Sequence, residues 1–467
     1  MHYYIKGDQR GTGIWELGSS KYFFSFFVLL FSFQILFPAN IRKSKYSVLK
    51  NEMKVFLEER DSIPLINIAI AINVGSKDEN SLTKGFVHIL EHLILFRGTK
   101  NYSGAQIAEE MRKHGAYFNG HTDYDLTTFE ISVPSDNIDF ALKILKEVVF
   151  NLKLSQEELD KEKEVILEEI NQENDNPYNM GTILALQNLF KNHAYESPIY
   201  GDKETVKNAT LEQINSFYEC FYTPSNCSLS VVGDFNVNEI RGKIGQIFGV
   251  LKKEKLQSSK ICLVHELKKN IEIKRVMDIK EAHLIIGFLA PELNNKDEIG
   301  MRVLTQVFGG GINPLLGTVL RGRRRFVEDI SMQYISLKYG AAALIKLKLE
   351  QKNIKMAKIE VLKFLNRSTS FLYSSEDYLP KYRSQAFDFL ETAKNQIIFR
   401  SESLKEKGLN SAISYARYML LGDPSEKKSY YKRIKKVNSS KLRKISSRYL
   451  IGEKFVVISI LPSNEEN

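Results

Sequence analysis

Residues 84–97 are apolar on nearly every face of a helix. Between the terminal Lys84 and Arg97, the apolar Phe86, Val87, Ile89, Leu90, Leu93, Ile94 and Leu95 surround three ionisable side chains, His88, Glu91 and His92. That pattern predicts a buried helix. Burying three ionisable groups is costly unless they are paired or hold a metal. A second helix is predicted over 156–173, with Ser155 as its N-cap and Leu159, Val165, Ile166 and Ile170 at helical spacing in a charged sequence. Glu162 and Glu169 are seven residues apart and share a face, while Glu168 lies about 100° round the axis and is expected in solvent.

The hydrophobic pattern also repeats. Val206, Leu211, Ile214, Ser216 and Tyr218 recur as Val437, Leu442, Ile445, Ser447 and Tyr449, at a constant offset of 231. Each set precedes an apolar stretch that reads as a strand, 229–232 and 455–460. Any amphipathic helix places Val, Leu and Ile on a buried face, but equal spacing at two distant points favours duplication. The polar, Lys-rich stretch 252–269 is the expected connection. The predicted organisation is an N-terminal segment 1–44, a first domain 45–251, a linker 252–269 and a second domain 270–467.

His88 and His92, four residues apart, stack on one helix face and can converge on one ion. Glu91 is offset on the same side, near enough to reach a water on that ion; the order inverts the His-Glu-x-x-His of ordinary zinc proteases. A catalytic zinc takes three protein ligands and leaves a position for water. The carboxylates of 157–173 are the candidates for the third, with Glu169 assigned as ligand and Glu162 as the carboxylate orienting the site. Taken alone, a Glu-rich run is usually a solvated face and a buried His usually a hydrogen-bonded core residue. With 8 His in 467 residues, however, the five-residue pattern should arise by chance in roughly one chain per hundred.

These residues, with others, resemble the M16 (pitrilysin/insulinase) family of inverted-motif zinc peptidases. The resemblance runs from about Tyr46 to Pro462. It comprises Asn73-Val74-Gly75-Ser76 with Glu79, Gly85 to His92, Phe96-Arg97-Gly98-Thr99, Asn119-Gly120-His121-Thr122 with Thr127 and Phe129, the Glu162/Glu169 helix, and Pro198-Ile199-Tyr200-Gly201. It implies an α+β fold of two homologous domains, each a mostly antiparallel sheet packed with helices (the LuxS/MPP-like metallohydrolase type). It further implies one Zn2+ per chain on His88, His92 and Glu169, with Glu91 as general base. Asn119 would line the substrate cleft; Gly120 stands where the family usually has alanine, a change expected to matter little.

The second half has no His-x-x-Glu-His. Its counterpart of the motif helix is predicted at 297–308, without an imidazole, and Gly309-Gly310-Gly311 then reads as a turn or hinge. Many relatives carry an Arg and, seven residues on, a Tyr that grip substrate from this half. Arg321 fits the first position, but Glu328 occupies the second and cannot donate as a phenol does. Tyr334 is off register. The implied partner is a second M16-like chain carrying the Arg/Tyr pair, in a heterodimer. The Arg323-Arg324-Arg325 cluster reads as a solvated basic turn.

Composition is that of a globular chain, 43% hydrophobic and 26% charged, with net charge +10. No basic motif interleaved with aromatics points to nucleic acid. The apolar run 23–37 suits a signal-peptide core, so export to a bacterial periplasm or an N-terminal membrane anchor is expected. Cys220, Cys227 and Cys262 are expected to be free thiols. The functional expectation is a zinc metalloendopeptidase cleaving unfolded or short peptides. The alternative is a structural or assembly subunit with the same fold and no turnover.

Overall fold

The computed structural model describes residues 43–254, 261, 263–311, 314–324, 327–371, 389–422 and 424–463. The apolar run 23–37, Cys262 and Arg325 lie outside the described residues.

Two sheets carry the fold. Strands β1 (Ser44–Val48), β2 (Lys54–Glu59), β3 (Leu65–Ile72), β4 (Tyr117–Thr122), β5 (Thr127–Pro134) and β6 (Cys227–Gly233) form the first, in the order β1-β2-β6-β3-β5-β4. Strands β7 (Ile271–Met277), β8 (Ala282–Ala290), β9 (Asp329–Leu337), β10 (Gly340–Leu349) and β11 (Val456–Pro462) form the second, in the order β7-β11-β8-β10-β9. In each sheet the latest strand inserts between two earlier ones, β6 between β2 and β3 and β11 between β7 and β8. β6 is parallel to β2 and antiparallel to β3; β11 is parallel to β7 and antiparallel to β8. The remaining pairs are antiparallel. The chain is thus α+β with two sheets of one topology, as the resemblance implies.

The repeat extends well past the five matched residues. An offset of 231 carries the helix Gln156–Asp175 onto 387–406, where the helix Phe389–Glu406 lies. It carries the helix Pro177–Leu189 onto 408–420, where the helix Gly408–Leu421 lies.

Each half lends this last helix to the other. Ala185, Leu186 and Leu189 of the first half pack on Ile285, Leu344 and Ile458 of the second sheet. In return Ala412 and Ala416 pack on Ala69, Ala71 and Val232 of the first. Small residues on both sides of that contact let helix and sheet approach closely, and Ser228 Oγ donates to the Ala416 carbonyl at 2.6 Å. Tyr415 stacks on Phe56, centroids 3.9 Å apart, and its hydroxyl donates to Glu58 at 2.8 Å. β3 and β6 are therefore covered on both faces, which is why they read as continuous apolar or small runs instead of alternating.

The motif helix runs Phe86–Phe96, shorter than predicted at both ends: Gly85 adopts φ 89° and Arg97 is extended. Its apolar faces join Leu159, Ile166 and Ile170 in the first core. The acidic helix starts where predicted, Ser155 and Glu158 forming a capping box, and runs on to Asp175. Glu168 is exposed as expected. Val165 is a correction: it is exposed, because the buried stripe passes through Leu159, Glu162, Ile166 and Ile170 and leaves Val165 beyond its edge. Cys227 is buried, which pushes its thiol pKa up, and Cys220 is partly buried; both are free thiols. Among the described residues no helix is long and apolar enough to cross a membrane.

Candidate metal centre

Glu79 fixes the start of the motif helix. Its carboxylate accepts from the amides of Gly85 and Val87, both at 2.9 Å, groups that a helix start leaves without intrahelical partners. Burial raises its pKa to about 8 against the pull of those bonds. The loop of Pro198 to Gly201 braces the same end. Gly201 has φ 73°, and a Cβ there would lie 2.5 Å from the Lys84 carbonyl carbon, so only glycine fits.

From this helix His88 and His92 project together, ring centroids 4.7 Å apart with planes at 75°. The acidic helix packs alongside and brings in Glu169, whose Oε2 is 3.7 Å from His88 Nε2 and 3.4 Å from His92 Nε2. Donor atoms of all three residues lie within 4.8 Å of one another. Two turns earlier Glu162 accepts from the far nitrogen of His92, Oε2 to Nδ1 3.2 Å. Its other oxygen pairs with the Arg97 guanidinium.

The spacing fits zinc. Ligand atoms about 2.1 Å from a tetrahedral ion sit roughly 3.4 Å from one another, and the two imidazole–carboxylate separations match such edges. The Glu162 bond points the second nitrogen of His92 at Glu169. Nδ1 of His88 is buried without a hydrogen-bond partner among the described residues, so no such carboxylate sets its tautomer. Burial, with His92 beside it, pushes the His88 pKa down to about 3, which keeps the ring neutral as a metal requires. For His92 burial acts the same way, but the Glu162 bond and the charges of Glu169, Glu162 and Glu91 outweigh it and raise the pKa. Burial disfavours the charge on Glu162, yet His92 and Arg97 hold its pKa below the ordinary value.

Glu91 is buried on the same helix, against β4. A Cβ on Gly120 would lie 3.2 Å from Glu91 Cγ and 3.0 Å from the Phe129 ring. The glycine expected to matter little therefore sets how closely the strand approaches Glu91. Burial raises the Glu91 pKa; Thr122, His92 and His121 pull the other way without cancelling it.

β4 is the outermost strand of its sheet. Alternation turns Asn119 and His121 to the face opposite Gly120 and Thr122. Asn119 is partly buried opposite Glu130 in the ladder, and His121 Nε2 meets Glu130 Oε1 at 2.9 Å, a bond that raises the His121 pKa. Arg321 is exposed on the π-helical turn Thr318–Arg324 and makes no hydrogen bond or ion pair with the metal-centre residues. Glu328 pairs with Lys348 at 3.3 Å. The Tyr334 hydroxyl donates to the Pro291 carbonyl and its ring lies 5.5 Å from the Arg302 guanidinium, so both ends are engaged within its own half. Sequence reasoning missed the supports: Glu79, Arg97 and Thr122 lie in or beside the motif blocks, but only the fold shows what each touches.

Comparison with known proteins agrees with this geometry. Residues 54–203 match the model of Insulinase (Peptidase family M16), and residues 208–385 match that of the Peptidase M16 inactive domain. An uncharacterized zinc protease of Rickettsia felis is 29% identical over 366 residues, covering 77% of this chain and 85% of the relative. The zinc protease PqqE of Helicobacter pylori is 26% identical over 294 residues, covering 62% and 66%. A solved protease from Helicobacter pylori superposes with a TM-score of 0.79 at 21% identity, over 90% of this chain and 100% of that one, a likeness of fold. The match named inactive begins at residue 208, within the first half, and reaches across much of the half without His-x-x-Glu-His. Together the two matches span more than half of the chain, and the chain belongs to the M16 (insulinase) peptidase family.

Proposed function

We propose that this protein is a zinc-dependent metalloendopeptidase that hydrolyses unfolded or short peptides. The observation that carries the proposal is the meeting of one Glu169 oxygen with both imidazole Nε2 atoms, beside a buried Glu91 of raised pKa.

His88, His92 and Glu169 would hold the zinc, which when bound supplies a Lewis acid that acidifies water and polarises a carbonyl. The chain's own groups do the rest. The open edge of β4 offers main-chain N–H and C=O groups to an extended peptide, which selects for shape over sequence. Asn119 on that strand helps to seat it. Glu91 takes a proton from the attacking water and returns it to the departing amide nitrogen as the C–N bond breaks; a raised carboxyl pKa suits both steps. Glu162, itself tied to Arg97, keeps His92 in one tautomer and orientation.

Arg321 is the candidate substrate contact from the second half. With Glu328 in place of tyrosine, the phenol donor would come from a second M16-like chain in a heterodimer. The apolar run 23–37 supports export to the periplasm or membrane anchoring. An assembly subunit without turnover would have no use for the Glu91 carboxyl.

The test is zinc analysis and peptide cleavage with the purified chain, alone and mixed with a co-encoded relative. E91Q should retain zinc and lose turnover by about 10²–10⁴-fold, and H88A should lose both. Unchanged cleavage by E91Q would remove the mechanism. Activity only on mixing supports the heterodimer, and full activity of the pure monomer rejects it.

A further inference from the structure

The turns of two equivalent hairpins meet between the halves. Residues 123–126 join β4 to β5, and Lys338 and Tyr339 join their counterparts β9 and β10. Asp125 reaches from the first turn to the second and is 2% exposed. Its Oδ2 accepts from the Lys338 amide at 2.9 Å and its Oδ1 from the Tyr195 hydroxyl at 2.5 Å. That hydroxyl accepts in turn from the Tyr339 amide at 3.1 Å. Tyr195 is fully buried and follows the helix Pro177–Leu189, the one seated on the second sheet. One carboxylate and one phenol thus hold both amides of the second turn.

The first turn is clamped from other sides as well. Asp123 Oδ1 accepts from the amides of Asp125 at 2.7 Å and Leu126 at 2.8 Å, and its Oδ2 pairs with Arg417 of the helix Gly408–Leu421. The carbonyls of Asp123 and Tyr124 accept from the amides of Ser76 and Lys77 at 3.2 and 3.1 Å, and Lys77 Nζ donates to the Asp125 carbonyl at 2.8 Å. Strand β4 depends on such a clamp. It is bonded along one side only, to β5, and Thr122, its last residue before the turn, lies against Glu91.

We propose that Asp125 is a positioning residue for peptide hydrolysis, which rests on the peptidase reading above: by tying the β4–β5 turn to the second half, it fixes the strand on which an extended peptide pairs and so the distance from that peptide to the metal centre. A peptide that adds to β4 takes its register from that strand. A misplacement of about 1 Å at the reacting groups can cost about 10²-fold in rate. A strand left free to move must also be ordered by the peptide on binding, which weakens binding. The half without His-x-x-Glu-His thereby serves the reaction through the first half's own substrate strand.

The experiment compares D125N and Y195F with the unmodified zinc-loaded chain, by cleavage of a ten-residue peptide, zinc affinity and hydrogen exchange. The side chain of D125N can accept from only one of the two donors and turns its own N–H groups on the other. KM does not depend on how much of the chain is active, and in D125N it should rise on the order of ten-fold, with kcat lower as well. Zinc affinity should stay within about two-fold. Amides 117–122 should exchange faster, while those of 65–72 in the middle of the same sheet should not change. Y195F keeps the bond from Lys338 and should show a smaller change in the same direction, which carries the test if D125N does not fold. S228A removes a bond between the halves away from this turn and should leave KM alone. An unchanged KM in both variants, an equal rise in S228A, or a parallel loss of zinc affinity overturns the proposal. If the unmodified chain cleaves no peptide, the peptidase proposal falls by itself: faster exchange confined to 117–126 in either variant still upholds the placement of β4 by Asp125, and unchanged exchange overturns it.

Discussion

Replacing Glu162 by Gln separates orientation from ligation. The carboxylate is 2% exposed and both oxygens are engaged, one by His92 Nδ1 at 3.2 Å and the other by Arg97. Glutamine keeps the shape and an acceptor for His92 but cannot neutralise Arg97. Removing one member of a fully buried pair costs about 3–5 kcal/mol. The Arg97 side chain is 25% exposed and keeps part of its hydration, which brings the expected loss of stability down to about 1–2 kcal/mol. Loss of a partner behind a metal-binding His typically weakens metal binding by about 10–100-fold. Because the amide oxygen can still accept from Nδ1–H, E162Q should fall near ten-fold and E162A nearer a hundred-fold. Zinc affinity should be read by competition with a chromophoric chelator, and unfolding separately in excess chelator, so that the two losses are not confused. If E162Q and E162A both bind zinc within two-fold of the unmodified chain, Glu162 does not orient the centre.

G120A should cost up to about 1–2 kcal/mol, since the methyl crowds Phe129 and Glu91 while Gly in a strand interior already costs about 0.5–1 kcal/mol. F129L should restore part of any loss in kcat, and strictly additive effects in the double variant would refute the crowding. For His121, the bond to Glu130 raises the folded-state pKa above its unfolded value near 6.5. Its contribution is fully present below that value and is lost as pH rises through the folded pKa. E130Q should therefore destabilise the chain more at pH 6 than at pH 8 and move the His121 NMR titration to lower pH; an equal effect at both pH values would show that the pair does not titrate.

The metal centre was the most legible part of the chain. A charged triplet in an otherwise apolar helix has few physical explanations, and a capped acidic helix fixes by its period which carboxylates share a face. That period does not say how wide the buried stripe is, so Val165 was misplaced. The repeat was visible through the buried positions Val206, Ile214, Val437 and Ile445, whose spacing both halves keep. The supports of the site were not visible. Glu79 and Arg97 act through backbone amides and a carboxylate that only the fold brings near, and one glycine between a helix and a strand gives no sign of what it clears. Least visible was the exchange of helices. Amphipathicity identifies a face that will be covered and is silent about what covers it, and the helix Pro177–Leu189 holds nothing that names the opposite sheet.

That exchange bears on how such a chain can change over time. Asn176 ends the helix carrying Glu169 and caps the helix seated on the other sheet. Deleting the half without His-x-x-Glu-His would strip that seat and leave Glu169 near the loose end of a frayed segment. A repeat built in this way cannot lose either half without unseating a helix of the other.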